Sequence, residues 1–195
     1  MTHSDIPHGQ QPCLQMGSLL LLTDPDDLLV LVQPRYTEGL TLVGGSRHEG
    51  EAPRAAACRE SGEDLGIEVF PGHLLLTYYS PPSPKSGAEE RLTHVYDGGT
   101  LTTAQLDSIT LPETRKLLDW DRVPEPRLDH FCTKPHALII RMALEARRRK
   151  TQYDMEFTSP ISEGRASAHL FNGDEAESPA STTGRPPRPG GPLPV

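Results

Sequence analysis

Gly45-Ser46-Arg47-His48-Glu49-Gly50-Glu51, continued by Arg59-Glu60-Ser61-Gly62-Glu63-Asp64-Leu65-Gly66-Ile67, is the most informative part of this chain. It reads as a loop, a helix and a second loop. At 3.6 residues per turn, positions 60, 63 and 64 stand at i, i+3 and i+4, so Glu60, Glu63 and Asp64 project from one helical face. Three like charges at that spacing repel, and a cation among them relieves the repulsion. Hard carboxylate oxygens suit Mg²⁺ or Mn²⁺ rather than zinc. A metal of this type in turn points to phosphate chemistry. Arg59, four residues before Glu63, can balance part of the acidic charge.

The plain alternative is a solvated acidic face, the usual meaning of Glu and Arg runs on helices. A helix whose only task is packing then needs a good apolar stripe on its other side. By angular position that stripe consists of Ala55, Cys58, Ser61, Gly62 and Leu65, which is thin. Gly62 alone costs about 1 kcal/mol of helix propensity relative to Ala. A helix this poor intrinsically is better explained by a site than by packing.

The spacing also resembles the Nudix box, written G-x5-E-x7-R-E-U-x-E-E-x-G-U with U aliphatic. Gly45, Glu51, Arg59, Glu60, Glu63, Gly66 and Ile67 fall on it, while Ser61 replaces an aliphatic residue and Asp64 replaces a glutamate. The resemblance implies an α/β class, a Nudix-like α/β/α sandwich with a mixed β-sheet. It implies that Glu60, Glu63 and Asp64 bind Mg²⁺ (or Mn²⁺) and carry the catalysis, and that Glu51 and Arg59 hold the loop and helix together. Gly45 and Gly66 support the motif through the backbone, Gly45 by letting the chain turn tightly without a Cβ clash. The reaction implied is metal-dependent hydrolysis of a phosphoanhydride bond in a nucleoside diphosphate linked to another moiety. One of the three acids, or Glu113 or Asp119 from a later segment, would take the proton of the attacking water. Because aspartate is one methylene shorter, Asp64 is expected to give a weaker site than a third glutamate.

A reading of another class is a Nudix-like module that binds a nucleotide without turning it over. Ser61, Asp64 and the segment after Pro112 motivate it: where similar sequences continue Glu-Leu-x-Glu-Trp, this chain has Arg115-Lys116-Leu117-Leu118-Asp119-Trp120.

Outward from the box, Met16 to Leu22 and Leu28 to Val32 are apolar runs of strand length around the turn-rich Thr23-Asp24-Pro25-Asp26-Asp27, which predicts a hairpin. Residues 33 to 45 lead from it into the box, with Val43 where the family commonly has Pro. Leu74 to Tyr79 and Arg91 to Tyr96 read as further strands. Pro135 to Lys150 reads as a last helix, with Leu138, Ile139, Met142 and Leu144 or Ala146 supplying apolar contacts. Its end, Arg147-Arg148-Arg149-Lys150, matches what a helix macrodipole favours. A nucleic-acid role for those cations is disfavoured by the net charge of −8, which repels a polyanion.

Residues 1–14 are expected to be flexible and residues 15–157 to form the domain. Beyond about Thr158, Pro, Gly, Ser and Thr dominate and apolar residues thin out, so 158–195 is expected to be a disordered tail. A small phosphorylated substrate, nucleotide by the resemblance, must be drawn in by the metal and by local cations such as Arg35, Arg47 or Arg59, since the overall field opposes it. Cys13, Cys58 and Cys132 show no paired spacing and fit a reducing compartment, with Cys58 read as a small core residue. No signal pattern opens the chain and Leu19 to Leu22 is too short to span a membrane, so a cytoplasmic protein without a membrane partner is expected. Oligomeric state and the base or sugar of the substrate have no signature here.

Overall fold

The computed structural model describes residues 14–85, 87–112, 116–161 and 168–171. Its central strand β1 (Gln15–Thr23) ends in the four consecutive leucines 19–22, and the period of two sends Leu19 and Leu21 to one face of the sheet and Leu20 and Leu22 to the other. A strand apolar on both sides has to be covered on both sides. The predicted hairpin follows. β2 (Leu29–Pro34) turns back on β1 through a bend in which Asp24 Oδ1 accepts the amides of Asp26 (2.9 Å) and Leu28 (2.8 Å). β3 (Val43–Ser46) lies antiparallel to the first half of β1, with Gly17 opposite Ser46 and Leu20 opposite Val43. The box helix α1 (Pro53–Leu65) comes next, then β4 (Leu74–Ser80) and β5 (Arg91–Thr100), which are antiparallel to each other while β5 runs parallel to β1.

After the short helix α2 (Thr103–Asp107), β6 (Leu117–Val123) pairs antiparallel with β2 and brings the residues just before it beside Pro34 and Arg35. A 3-10 turn, the one-turn α3 (Leu128–Phe131) and α4 (Lys134–Arg149) lead to β7 (Tyr153–Phe157), which joins β4 in parallel. β8 (Ala168–Phe171) pairs antiparallel with β7. The mixed sheet runs β6-β2-β1-β5-β4-β7-β8, with β3 alongside β1.

The two faces are covered unequally. On one, Ala137, Ile140, Ala143 and Leu144 of α4 pack on Leu21, Leu31, Leu76, Tyr78, Met155 and Phe157. On the other, α1 supplies Ala57 and Leu65 to a cluster with Leu20, Leu22, Val30, Val32, Val43 and Tyr96. Each fully buried Leu or Ile contributes about 1.5–3 kcal/mol, so α4 is anchored by apolar burial, whereas α1 has a single large apolar side chain in its cluster. What else holds α1 is polar.

The basic end of α4 is tied inside the fold. Arg147 donates to Asp97 Oδ1 (2.6 Å) and to the Leu21 carbonyl, while Arg148 pairs with Glu125 and Arg149 with Glu145. The helix stops where Lys150 turns left-handed at φ 52°. The expected tail needs correction: residues 168–171, inside the segment read as disordered, form β8. The open edge of β7 supplies ladder partners that a solvated segment lacks. Residues 1–13, 162–167 and 172–195 lie outside the described residues. Among the described residues, no helix is long and apolar enough to cross a membrane.

Candidate active site

α1 begins with Pro53 in its first turn after an extended Ala52, and ends where Gly66 goes left-handed (φ 73°) and returns its amide to the Gly62 carbonyl. Its buried residues are Ala56, Ala57, Glu60, Ser61, Asp64 and Leu65. This corrects the expected division into an acidic face and an opposite apolar stripe, because Ala55 is exposed, Cys58 and Gly62 are half-buried, and two of the acids face inward. Inward acids are tolerated because cations and backbone amides meet them there. Ser61 is part of the same solution: its hydroxyl donates to the Cys58 carbonyl (2.7 Å) and accepts the Val69 amide (2.9 Å), fixing the chain that leaves the helix.

Glu60 and Asp64 are 4% and 1% exposed. Glu60 Oε1 accepts from Arg59 Nη1 at 3.1 Å, and Oε2 accepts from Lys116 Nζ at 2.5 Å. The same ammonium lies 3.1 Å from Asp64 Oδ1, without hydrogen-bond alignment, so this buried oxygen has no hydrogen-bond partner. Asp64 Oδ2 accepts the Gly44 amide at 3.3 Å. Burial pushes the Asp64 carboxyl above its ordinary range, with the Lys116 charge pulling the other way. Burial also opposes the Lys116 ammonium, but its bond to Glu60 and the charge of Asp64 outweigh that and raise its pKa.

Gly45 serves a purpose other than the expected tight turn. Its φ is unexceptional, whereas a Cβ there would lie 2.5 Å from Glu60 Oε2 and 2.6 Å from Oε1. The glycine makes room for the carboxylate. The residue whose backbone demands glycine is Gly44, at φ 134°, where a Cβ would fall on the Ser18 carbonyl oxygen of β1.

Arg59 organises the outer rim. Its Nε and Nη2 grip both oxygens of Glu51 (2.8 and 3.0 Å), Nη2 also reaches the Ser46 carbonyl (3.0 Å), and Nη1 reaches Glu63 (3.0 Å). Glu51 accepts the His48 amide as well (2.8 Å), and these partners, Arg59 first, hold its carboxyl at about 2. The bond to Glu51 likewise raises the pKa of Arg59. Glu63, with half its side chain in solvent, is held at the rim by Arg59. The structure therefore joins Glu60 to Asp64 through Lys116 and Glu60 to Glu63 through Arg59 Nη1, the first pair buried and Glu63 at the rim. Among the described residues, no three His, Cys, Asp or Glu side chains are grouped to hold a metal.

Of the other expected participants, Arg47 donates to the Glu51 carbonyl (3.0 Å) and braces the loop, and the Arg35 amide bonds the Lys116 carbonyl (3.0 Å). Asp119 is exposed on β6 and accepts its neighbour's amide, and Glu113 lies outside the described residues. Lys116 is the residue that sequence reasoning missed as a member of the site. The available signal was a cation standing where similar chains carry an acidic run.

The donors present fit a hard divalent cation. Two carboxylates on successive turns already share one cationic group, and Gly45 leaves room for the carboxylate of Glu60. At the N-terminal end of α4 a cavity of about 650 Å³ is lined by Tyr36, Glu38, Tyr78, Arg91, Lys134 and His136. The acids do not line it. Arg91 lines this cavity, and a Cβ on Gly17, the register partner of Ser46, would lie 3.6 Å from its Nη1.

Comparison with known proteins bears on the family and the fold. The family model described as NUDIX domain matches residues 14–138. Among solved structures, the chain is similar to the MutT protein of Methanosarcina mazei Go1 at 16% identity, covering 73% of this chain and 99% of that one, with a TM-score of 0.57. It is similar to a UDP-X diphosphatase at 13% identity (74% and 68% covered, TM-score 0.59). It is also similar to an ADP-ribose pyrophosphatase of Streptococcus suis 89-1591 at 14% identity (74% and 99% covered, TM-score 0.54). At these identities the likeness is one of fold. No curated protein sequence matches the chain.

Proposed function

The chain belongs to the Nudix hydrolase family, and from that premise we propose that it hydrolyses a phosphoanhydride bond in a nucleoside diphosphate linked to a second moiety, using Mg²⁺ or Mn²⁺. The observation that carries this reading is the buried pair Glu60 and Asp64, turned inward on α1 with a cationic group between them. Glu60 and Asp64 would hold the metal from the inner side, with Glu63 on the rim beside them. When bound, the ion supplies a positive charge to diphosphate oxygens and lowers the pKa of a coordinated water.

The chain's own groups do the rest. Arg59, gripped by Glu51, keeps α1 and the Gly45–Glu51 loop in one register, so the carboxylates are placed before substrate arrives. Glu63, the acid most open to solvent, is suited to accept the proton of the attacking water, because a carboxylate still hydrated can pass that proton on. The cavity's volume falls within the range of about 300–1,000 Å³ that small-molecule sites occupy, so it can take the organic moiety, with Arg91 in its lining offering charge to a phosphate. The UDP-X diphosphatase and the ADP-ribose pyrophosphatase of the same fold make UDP- and ADP-linked compounds the first to try.

The test is release of a nucleoside monophosphate from a panel of such compounds, with Mg²⁺ present and after chelation, in the natural chain and in Glu60→Gln. Metal-dependent release that falls by orders of magnitude in the variant supports the proposal. Release that survives chelation, or that the variant retains, refutes it.

A further inference from the structure

We propose that Lys116 is a tethered counter-ion of the metal-free site, which the divalent ion must displace before the site is loaded. The proposal rests on the reading of Glu60 and Asp64 as metal-holding acids. The geometry behind it is specific. One ammonium nitrogen stands 2.5 Å from Glu60 Oε2 and 3.1 Å from Asp64 Oδ1, touching an oxygen of each acid that a shared ion would use. Both carboxylates are nearly inaccessible, and two buried like charges one helical turn apart are costly without a cation between them. Lys116 supplies that cation.

A metal ion and this ammonium cannot occupy the place together. An ion bound to the same two oxygens would share them with the ammonium, and two positive charges at so short a range repel strongly. The side chain has somewhere to go. Its backbone is fixed at the start of β6, where the Lys116 carbonyl accepts the Arg35 amide, but 46% of the side chain is already in solvent. A lysine is a hydrated point charge on a flexible stem, so it can swing out while the strand stays in place. The apparent affinity for metal is then scaled by the fraction of molecules in which Lys116 is out. If it is in nine times out of ten, the penalty is about tenfold. The chain thereby keeps its acids paired when metal is scarce and loads only above a threshold concentration.

Two measurements on the full chain test this. Calorimetric titration with Mn²⁺ and Mg²⁺ should show Lys116→Met binding about tenfold more tightly than the natural chain, while its melting temperature without metal is lower and its gain on adding metal is larger. Acetic anhydride labelling of the natural chain, read by mass spectrometry, should show Lys116 becoming several-fold more reactive when metal is added, with Lys134 and Lys150 as unchanged controls. This second readout separates physical displacement from simple repulsion at a distance, and it stands even if Lys116→Met fails to fold. Equal or weaker affinity in a folded Lys116→Met, or unchanged labelling while calorimetry shows metal bound, overturns the proposal and leaves the metal reading intact. No binding heat in either protein overturns the metal reading and the proposal with it.

Discussion

Replacing Gly45 with alanine isolates the site from the fold. The added Cβ would sit 2.5 Å from Glu60 Oε2 and 2.6 Å from Oε1, and real Cβ contacts below 3.0 Å are essentially never seen. The backbone has no reason to move, since Gly45 lacks a positive φ, so the carboxylate must retreat by about half an ångström or more. That retreat breaks its 2.5 Å contact with Lys116 and its 3.1 Å bond to Arg59. Weakening those charge-assisted bonds should cost about 1–3 kcal/mol, which leaves the chain folded. Activity should suffer more, because a misplacement of about 1 Å at a reacting centre costs on the order of a hundredfold. Gly44→Ala is the control. There the new Cβ meets a backbone oxygen of β1 and the residue is held at φ 134°, so destabilisation should be the larger effect, with strain alone contributing about 1–3 kcal/mol. Urea midpoints and nucleoside monophosphate release with saturating Mg²⁺ measure both variants. Undiminished turnover in Gly45→Ala, or an equal loss of stability in the two variants, would refute the claim that this glycine exists to make room for Glu60.

Ser61→Val, which restores the aliphatic residue of the family pattern, should destabilise the chain by about 1–3 kcal/mol because it orphans the buried Val69 amide; a urea melt with a gain in stability would contradict this. Arg147→Met should cost a similar amount, about 1–3 kcal/mol by the same melt, since it removes the bonds joining the end of α4 to Asp97 and Leu21. His136, whose ring Nδ1 is buried without a partner, has its pKa lowered by burial. A depressed histidine pKa means that the unfolded chain binds the proton more readily, so this group's contribution to stability is intact above the unfolded value of about 6.5 and is lost as the pH falls below it. His136→Gln should flatten the fall in stability between pH 7 and 5 in paired melts, and an unchanged slope would remove His136 from the account.

The sequence carried the loop-helix-loop and the sheet's central strand, because both are local. The leucine run at 19–22, of strand length and bounded by the turn-rich residues 23–27, reads as a strand, and the spacing from Gly45 to Ile67 fixes which residues share a turn of α1. Helical periodicity says which side chains lie together but not which face turns inward. That choice is made by partners distant in sequence: the Gly44 amide on Asp64, and Lys116, which is 56 residues from Glu60 and arrives only because β6 pairs with β2 beside Pro34. The same limit explains why Gly45 read as a turn residue. Its neighbour Gly44 takes the strained backbone, and the constraint on Gly45 comes from a carboxylate fifteen residues later, visible only once α1 is laid across β3. β8 was hidden for a related reason, since four residues in a Pro- and Ser-rich context become a strand only where β7 presents an open edge.

The two departures from the family pattern take on a different sense in this light. Read alone, Ser61 and Asp64 look like a site losing its definition. In the fold, Ser61 satisfies the Cys58 carbonyl and the Val69 amide at once, a task that an aliphatic side chain cannot perform. Asp64 is 1% exposed, with one oxygen on the Gly44 amide and the other facing Lys116, so both of its oxygens are already placed. The shorter acid and the lysine belong together: a carboxylate drawn back toward the helix leaves room for an ammonium between it and Glu60, and that ammonium allows two acids to face the interior of a helix whose apolar contribution to its cluster is little more than Ala57 and Leu65. The departures and the cation form one arrangement, and the polar anchoring of α1 is its consequence.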